Sequence, residues 1–273
     1  MEALPKGEIM KRLKDRMESL LEGGMCIAFS GGVDSSLLLK VACLVGAKHG
    51  QTVHAVTFST KLHPVGDLEI AKKICKEVGA KHHIIQINEL NNPLICNNPV
   101  DRCYHCKKYL FTQLLSFAKE HGLRHVIEGS NADDKLVYRP GMRAIAELGI
   151  ISPLLELDIT KAKVRAYAEA LGLSVAKRPS APCMATRLPY GTQLDFSLLE
   201  RLEKGEAYLQ SLGFAINRLR LHGEIIRVEI EKSAFSQFLA QKEEICKTLQ
   251  ALGFRYITLD LEGFRSGSMD AYL

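Results

Sequence analysis

The chain has 273 residues, 47% hydrophobic and 25% charged, enough to bury one large core, or a large and a small one, without disulfides. This composition excludes disordered, collagen-like and coiled-coil classes, and no apolar run approaches the ~20 residues of a bilayer span. The net charge of +5 suits a phosphorylated ligand, while the lack of Trp and of basic tracts with interleaved aromatics speaks against nucleic acid.

In chain order, the first predicted element is an amphipathic helix. Ile9, Met10, Leu13, Met17, Leu20 and Leu21 recur at three- and four-residue spacing, and Gly23 and Gly24 stop it. Its charged start lacks the apolar region of a signal peptide, so the expected location is cytoplasmic. A short apolar strand, 25–29, leads through Ser-Gly-Gly into a helix over 34–48. Strands at 53–58 and 82–87 alternate with a helix at 68–78 that Gly79 ends. Residues 88–101 carry Asn and Pro breakers without periodicity and read as a long functional loop. A helix over 105–120, a strand at 124–128 and a helix over 160–171 follow. Alternating strands and helices imply an α/β fold, a doubly wound parallel sheet with helices on both faces. A second organisation starts near Gly191: a helix at 195–212, strands at 216–221 and 225–230, a helix at 233–252 and a strand at 254–259. The expected division is a nucleotide domain, 1–191, and a small C-terminal α+β domain, 192–273.

Ser30-Gly31-Gly32-Val33-Asp34-Ser35-Ser36 falls between a strand and a helix. Glycines let the backbone approach an anion, and free N–H groups at a helix N-terminus bind phosphate. The hydroxyls of Ser30, Ser35 and Ser36 add donors. A Walker A loop would carry Lys after its last Gly; without it, this loop is not built to hold a γ-phosphate for transfer. The run from Glu128 through Gly129 to Asp133 and Asp134 follows another strand, at the carboxyl edge where open α/β sheets bind ligands. Gly129 is a candidate nucleotide contact, and Asp133 or Asp134 can hold Mg²⁺ on a pyrophosphate. Thr57 and Phe58 end a strand and are candidates to line an adenine, Phe58 equally a core residue. The SGGVDS run resembles the signature of the PP-loop ATP pyrophosphatases. That resemblance implies an adenine nucleotide alpha hydrolase-like fold, ATP as substrate, and adenylation of a substrate oxygen with release of pyrophosphate. Asp34 is expected to be essential to that step.

Adenylation makes an oxygen a leaving group, so a nucleophile must follow. Of eight cysteines, Cys103 and Cys106 are spaced C-x-x-C around Tyr104-His105, just ahead of a predicted helix. Cys183 sits in a loop, 178–191, shaped by Pro and Gly, where a lone Cys is a candidate nucleophile. Arg187 and a nearby helix N-terminus are candidates to lower its pKa. Three soft thiolates can hold a 4Fe–4S cluster with one iron open; zinc with poorly spaced His105, a redox pair, and ordinary thiols are the alternatives.

Together with SGGVDS, the runs Tyr138-Arg139-Pro140-Gly141, Arg187-Leu188-Pro189-Tyr190-Gly191 and 258–267 resemble the LarE family over nearly the whole chain. These are ATP-dependent sulfur insertases of nickel-pincer nucleotide cofactor synthesis. The resemblance implies adenylation of the carboxylates of pyridinium-3,5-biscarboxylic acid mononucleotide and replacement of oxygen by sulfur. In some members the cysteine matching Cys183 sacrifices its own sulfur, and partner cysteines are missing. With Cys103 and Cys106 present, this chain is similar instead to members whose three cysteines hold a 4Fe–4S centre that binds an extra sulfide. In the C-terminal region Arg218 and Arg220 alternate on one strand and so face one side, which suits phosphate. The resemblance carries over Arg218, Arg220 and Arg265 to a phosphate site, and Glu206 and Glu229 to a divalent metal site, at a subunit interface. It also implies a symmetric homo-oligomer, a hexamer. Gln237 replaces an acidic residue found in some sacrificial members. Competing readings are a PP-loop tRNA thiolase, an amide-forming PP-loop ligase, and a non-catalytic redox or nucleotide sensor.

Overall fold

The computed structural model describes residues 7–64, 66–136, 139–179, 182–265 and 267–269. Tyr138, Ser180, Ala181 and Ser266, drawn on above, lie outside the described residues. The chain divides into two compact units: 1–89 with 101–181, and 90–100 with 182–273.

The first unit is built on α1 (Glu8–Leu21), β1 (Met25–Ala28), α2 (Val33–Lys48), β2 (His54–Ser59), α3 (Gly66–Val78) and β3 (Lys81–Gln86). The short α4 (Pro93–Cys96) belongs to the other unit. The first unit resumes with α5 (Arg102–Glu120), β4 (His125–Ile127), α6 (Gly141–Glu147), α7 (Pro153–Glu156) and α8 (Lys161–Ala170). The four strands are parallel in the order β3-β2-β1-β4. Side chains alternate across the sheet. Met25, Ile27 and Ala55 enter a core with α1, α2, α3 and α8, while Cys26 and Val56 enter a second core with Leu110, Phe111 and Leu114 of α5. Both faces are therefore covered, as the apolar run Met25-Cys26-Ile27-Ala28 requires of a central parallel strand. From β1 the chain runs outward through β2 to β3, then returns to place β4 on the other side of β1. The strand order reverses between β1 and β4, and the crevice at their carboxyl ends is where such sheets take ligands.

The second unit carries α9 (Phe196–Ser211), β5 (Asn217–His222), β6 (Ile225–Ile230), α10 (Phe235–Ala240), α11 (Lys242–Ala251) and β7 (Tyr256–Leu259). β5 and β6 are antiparallel, and β7 joins β6 in parallel. Asp195 caps α9, its carboxylate accepting from Ser197 N–H at 2.8 Å. Residues 90–100 thread back into this unit: Asn98 O accepts from Gly191 N–H at 2.8 Å and Cys96 O from Leu194 N–H at 2.7 Å.

Three expectations about elements are corrected. Residues 88–101 are not wholly irregular but contain a 3₁₀ turn, Glu89–Asn91, and α4. The helix expected from 105 begins at Arg102, so Cys103 and Cys106 lie inside it rather than ahead of it. The helix expected over 233–252 is two, broken at Gln241, whose φ of −108° and ψ of 10° leave the helical range.

Candidate active site

The loop after β1 is shaped by packing as well as by its glycines. Gly31 has φ +71°, and a Cβ there would stand 3.2 Å from Ala71 N and 3.4 Å from Asp67 O of α3. Gly32 is the N-cap of α2 and donates its N–H to Ser30 Oγ at 3.3 Å. The Ser30 and Ser35 hydroxyls are 3.3 Å apart, and Ser35 Oγ donates to Gly32 O at 3.2 Å. Ser36 is fully buried. The first-turn amides of α2 thus stand beside a glycine loop with two hydroxyls next to it, donors of the kind that can take an anion.

Asp34 lies in that first turn. Its Oδ1 accepts from Asn131 Nδ2 at 3.1 Å, and its Oδ2 pairs with the Lys161 ammonium. Lys161 also donates its backbone N–H to Asp133 Oδ2 at 3.0 Å, so one residue ties together two carboxylates singled out in the sequence. Asp134 accepts from Asn131 N–H at 3.0 Å and pairs with Arg139 at 3.0 Å. Gly129 is a close approach: a Cβ would stand 3.0 Å from Ser35 N and 3.3 Å from Asp34 Cβ. The segment after β4 therefore presses on the start of α2, which a side chain at this position would push outward. Beside it the buried Glu128 accepts from Ser130 N–H at 2.9 Å and Ser130 Oγ at 2.8 Å, with Lys107 Nζ 3.6 Å away. Thr57 is buried, donating to Phe29 O at 2.7 Å with His82 Nε2 2.8 Å from the same hydroxyl. Phe58 meets Phe111 edge-on, ring centroids 6.3 Å apart, in the α5 core.

Cys103 and Cys106 stand three residues apart on α5, so their side chains share one helical face, and both are half-buried. Arg102 Nη2 reaches Cys103 Sγ at 3.4 Å. Cys183 belongs to the second unit, where it is the N-cap of a 3₁₀ turn, Met184–Arg187. Among the described residues no three His, Cys, Asp or Glu side chains gather in an arrangement that would hold a metal ion.

The second unit turns Cys183's segment into a rigid object. Arg187 is 2% exposed and grips Glu206 with both arms, at 3.0 and 2.8 Å. Its Nη1 donates to Pro182 O at 2.9 Å and to Cys183 O at 3.2 Å. The guanidinium thus holds the backbone on either side of the cysteine. Glu206 also accepts from Leu219 N–H at 3.0 Å. Arg220 donates to Glu229 at 2.8 Å and to Thr186 O at 2.6 Å. Glu229 accepts further from Arg227 at 2.9 Å and Ser268 Oγ at 2.6 Å. Arg218 lies over the Phe264 ring at 5.3 Å, and burial first, then neighbouring Arg187, pulls its pKa below the usual range. Arg265 pairs with Glu262 and, at 3.6 Å, with Asp260. Of the expected phosphate and metal residues, Arg220 and Glu229 are thus paired with each other, while Glu206 is held by Arg187 and Arg265 by Glu262 and Asp260.

Sequence reasoning missed Lys161 and Arg178. Arg178 Nη1 reaches Gly31 O at 3.4 Å while Nη2 pairs with Asp67 of α3. A signal for Lys161 was present. It opens α8 directly after the capping Thr160, and a cation in a first helical turn opposes the helix dipole unless an anion answers it. Arg178 carried no such sign.

Residues 25–98 match the family described as queuosine biosynthesis protein QueC. An NMN synthetase structure from Francisella tularensis superposes with a TM-score of 0.51 at 18% identity, covering 63% of this chain and 74% of that one, which concerns the fold alone. An uncharacterised protein of Synechocystis sp. is 40% identical over 90% of this chain and 92% of its own. The pyridinium-3,5-bisthiocarboxylic acid mononucleotide synthase of Lactiplantibacillus plantarum is 36% identical over 98% of this chain and 94% of its own. With that identity running nearly end to end, the chain belongs to the family of the pyridinium-3,5-bisthiocarboxylic acid mononucleotide synthases, the LarE family of PP-loop proteins.

Proposed function

We propose that this chain is an ATP-dependent sulfurtransferase that adenylates the carboxylates of pyridinium-3,5-biscarboxylic acid mononucleotide and exchanges oxygen for sulfur. The observation that carries this is the loop Ser30–Ser36 at the sheet's reversal point, with Asp34 and Asp133 beside it, in a chain of this family. The loop amides and the Ser30 and Ser35 hydroxyls would bind the phosphates, and Asp34 and Asp133 would hold Mg²⁺, which would neutralise phosphate charge. Lys161 keeps Asp34 neutralised until then. A substrate carboxylate oxygen bonds to the α-phosphorus, the bond to the β-phosphate breaks, and pyrophosphate leaves with that electron pair. A sulfur nucleophile then adds to the activated carbonyl, and AMP departs with the original oxygen.

Two half-buried thiols on one face of α5 suit two ligands of a 4Fe–4S cluster, and the family resemblance names Cys183 as the third. When bound, such a cluster would supply an iron-bound sulfide as the sulfur source. Arg187 fixes the Cys183 backbone for either that role or direct sulfur donation. Residues 192–273 would bind the substrate phosphate through Arg218, Arg220 and Arg265, with Glu206 and Glu229 as the divalent site. The family resemblance supports a cytoplasmic homo-oligomer, a hexamer, with no nucleic acid partner.

Anaerobic purification with iron and acid-labile sulfide analysis tests the sulfur source. About four irons per chain, lost in Cys103→Ala, is the expected result. No iron after reconstitution, with the protein lighter by one H₂S per turnover, would shift the assignment to a sacrificial Cys183. Asp34→Ala is expected to abolish AMP formation while leaving the iron content unchanged; retained AMP formation would remove the loop from the mechanism.

A further inference from the structure

A triphosphate bound here must draw its positive charge from outside the loop, because Ser30 to Ser36 contain no Lys or Arg. Two cations reach it from the segment beyond the sheet. Lys161 is bound to Asp34 and belongs to the carboxylate cluster already described. Arg178 approaches the opposite side, at Gly31 and the first turn of α3. Its backbone is clamped from behind, since Arg165 of α8 donates to Ala176 O at 2.6 Å and Arg178 O at 2.9 Å. Its guanidinium pairs with one partly covered carboxylate, Asp67, at 2.5 Å, and makes one long bond, 3.4 Å, to the Gly31 carbonyl, with no second carboxylate to fork onto among the described residues. A fixed backbone with an exchangeable head group is what a phosphate-seeking side chain needs. A planar guanidinium meets a phosphate with two parallel hydrogen bonds, which one carboxylate at this exposure does not outbid once several phosphate charges arrive.

We propose that Arg178 is a catalytic residue of the pyrophosphate-releasing step, parked on Asp67 in the nucleotide-free chain and moving to the β- and γ-phosphate oxygens of ATP. The inference rests on reading the loop as an ATP site. As the substrate carboxylate oxygen bonds to the α-phosphorus, the bond from that phosphorus to the bridging oxygen breaks. The electron pair stays on the pyrophosphate, and Arg178 meets the charge that develops there. It supplies from a distant segment the cation that the loop lacks. The contrasting role is purely structural, a staple from residues 176–178 to α3.

Calorimetric binding of pyrophosphate, AMP and ATP to the full chain, with Mg²⁺, separates the two. Arg178→Gln is expected to weaken pyrophosphate and ATP about tenfold or more while leaving AMP, which lacks the β- and γ-phosphates, unchanged. Pyrophosphate formation should fall about 100-fold, with Arg178→Lys recovering part of it. Asp67→Asn removes the parking partner and should tighten pyrophosphate binding a few-fold. A staple predicts the reverse sign: Asp67→Asn and Arg178→Gln would lose affinity together, for AMP as much as for pyrophosphate. That result, or wild-type pyrophosphate affinity in Arg178→Gln, overturns the proposal. A wild-type chain that binds neither ATP nor AMP would instead overturn the ATP reading itself.

Discussion

Burial decides which thiols can react. Cys26, Cys43 and Cys75 sit among apolar side chains, and desolvation pushes each thiol up to about 12. Cys103 and Cys106 are half-buried on α5. Alkylation of the folded, iron-free chain with iodoacetamide at pH 8, read by peptide mass spectrometry, should label those two and spare Cys26, Cys43 and Cys75; labelling of Cys26 in folded protein would contradict the packing. Gly129 gives a second residue-scale prediction. A methyl there would meet Ser35 N at 3.0 Å, in the floor of the phosphate loop. Gly129→Ala should reduce ATP affinity at least tenfold with an unfolding midpoint close to wild type, measured by calorimetry and urea titration. At this scale the Ser30–Ser36 loop at a strand end and the acids after the next strand were legible, because SGGVDS and Glu128 to Asp134 are contiguous runs. Arg178 was not, because its partners Gly31 and Asp67 lie over a hundred positions away and only folding brings them together.

Among the elements, α9 shows how a sequence can conceal a contact. Gly205 sits mid-helix where Ala would raise helix propensity by about 1 kcal/mol. Yet a Cβ there would stand 2.5 Å from Leu219 Cδ1 and 3.1 Å from Leu249 Cδ2. Overpacking of this kind costs about 1–3 kcal/mol, so Gly205→Ala should be neutral to destabilising by up to about 2 kcal/mol, never stabilising, in urea unfolding. The N-cap of the same helix is pH-sensitive. Bonds from Ser197 hold the Asp195 carboxyl below its ordinary pKa. Its contribution is therefore present above the unfolded value near 4 and lost as pH falls through the lower folded one. Asp195→Ala should cost about 1 kcal/mol at pH 7 and less at pH 3. The break at Gln241 was invisible for a simple reason. Phe238, Ile245 and Leu249 are buried at spacings of seven and four, so the helical period runs through the break. The early start of α5 was hidden differently. Cys-Tyr-His-Cys is a poor helix opening by propensity, and it is supported by Asp101, whose carboxylate meets His105 at 3.1 Å one turn on.

For the whole molecule, acid is the expected weakness. His54, His63, His82, His83 and His222 all have lowered pKa values, with burial the first cause in each. His54 and His83 also stack at 5.1 Å, and His121 lies 5.4 Å from His83, so charging one penalises the next. The unfolded chain binds protons near pH 6.5 while the folded chain still refuses them. Stability is thus complete above about pH 6.5 and falls as pH drops toward the folded values. The urea midpoint should be lower at pH 5.5 than at pH 7.5, and His83→Gln should shrink the difference; an unchanged midpoint would contradict this. By itself the sequence determined the alternating α/β order, the place of the anion loop at a strand end, and the C-terminal α+β unit. Each of these is written in local periodicity, glycine placement and strand-helix alternation. Tertiary structure alone decided that 90–100 pairs with the segment 188–194, that Arg187 and Glu206 brace the Cys183 backbone, and that Lys161 and Arg178 contact the Ser30–Ser36 loop. Those contacts join residues far apart in the chain through single side chains and carbonyls, and a pattern read along the chain holds no record of such closures.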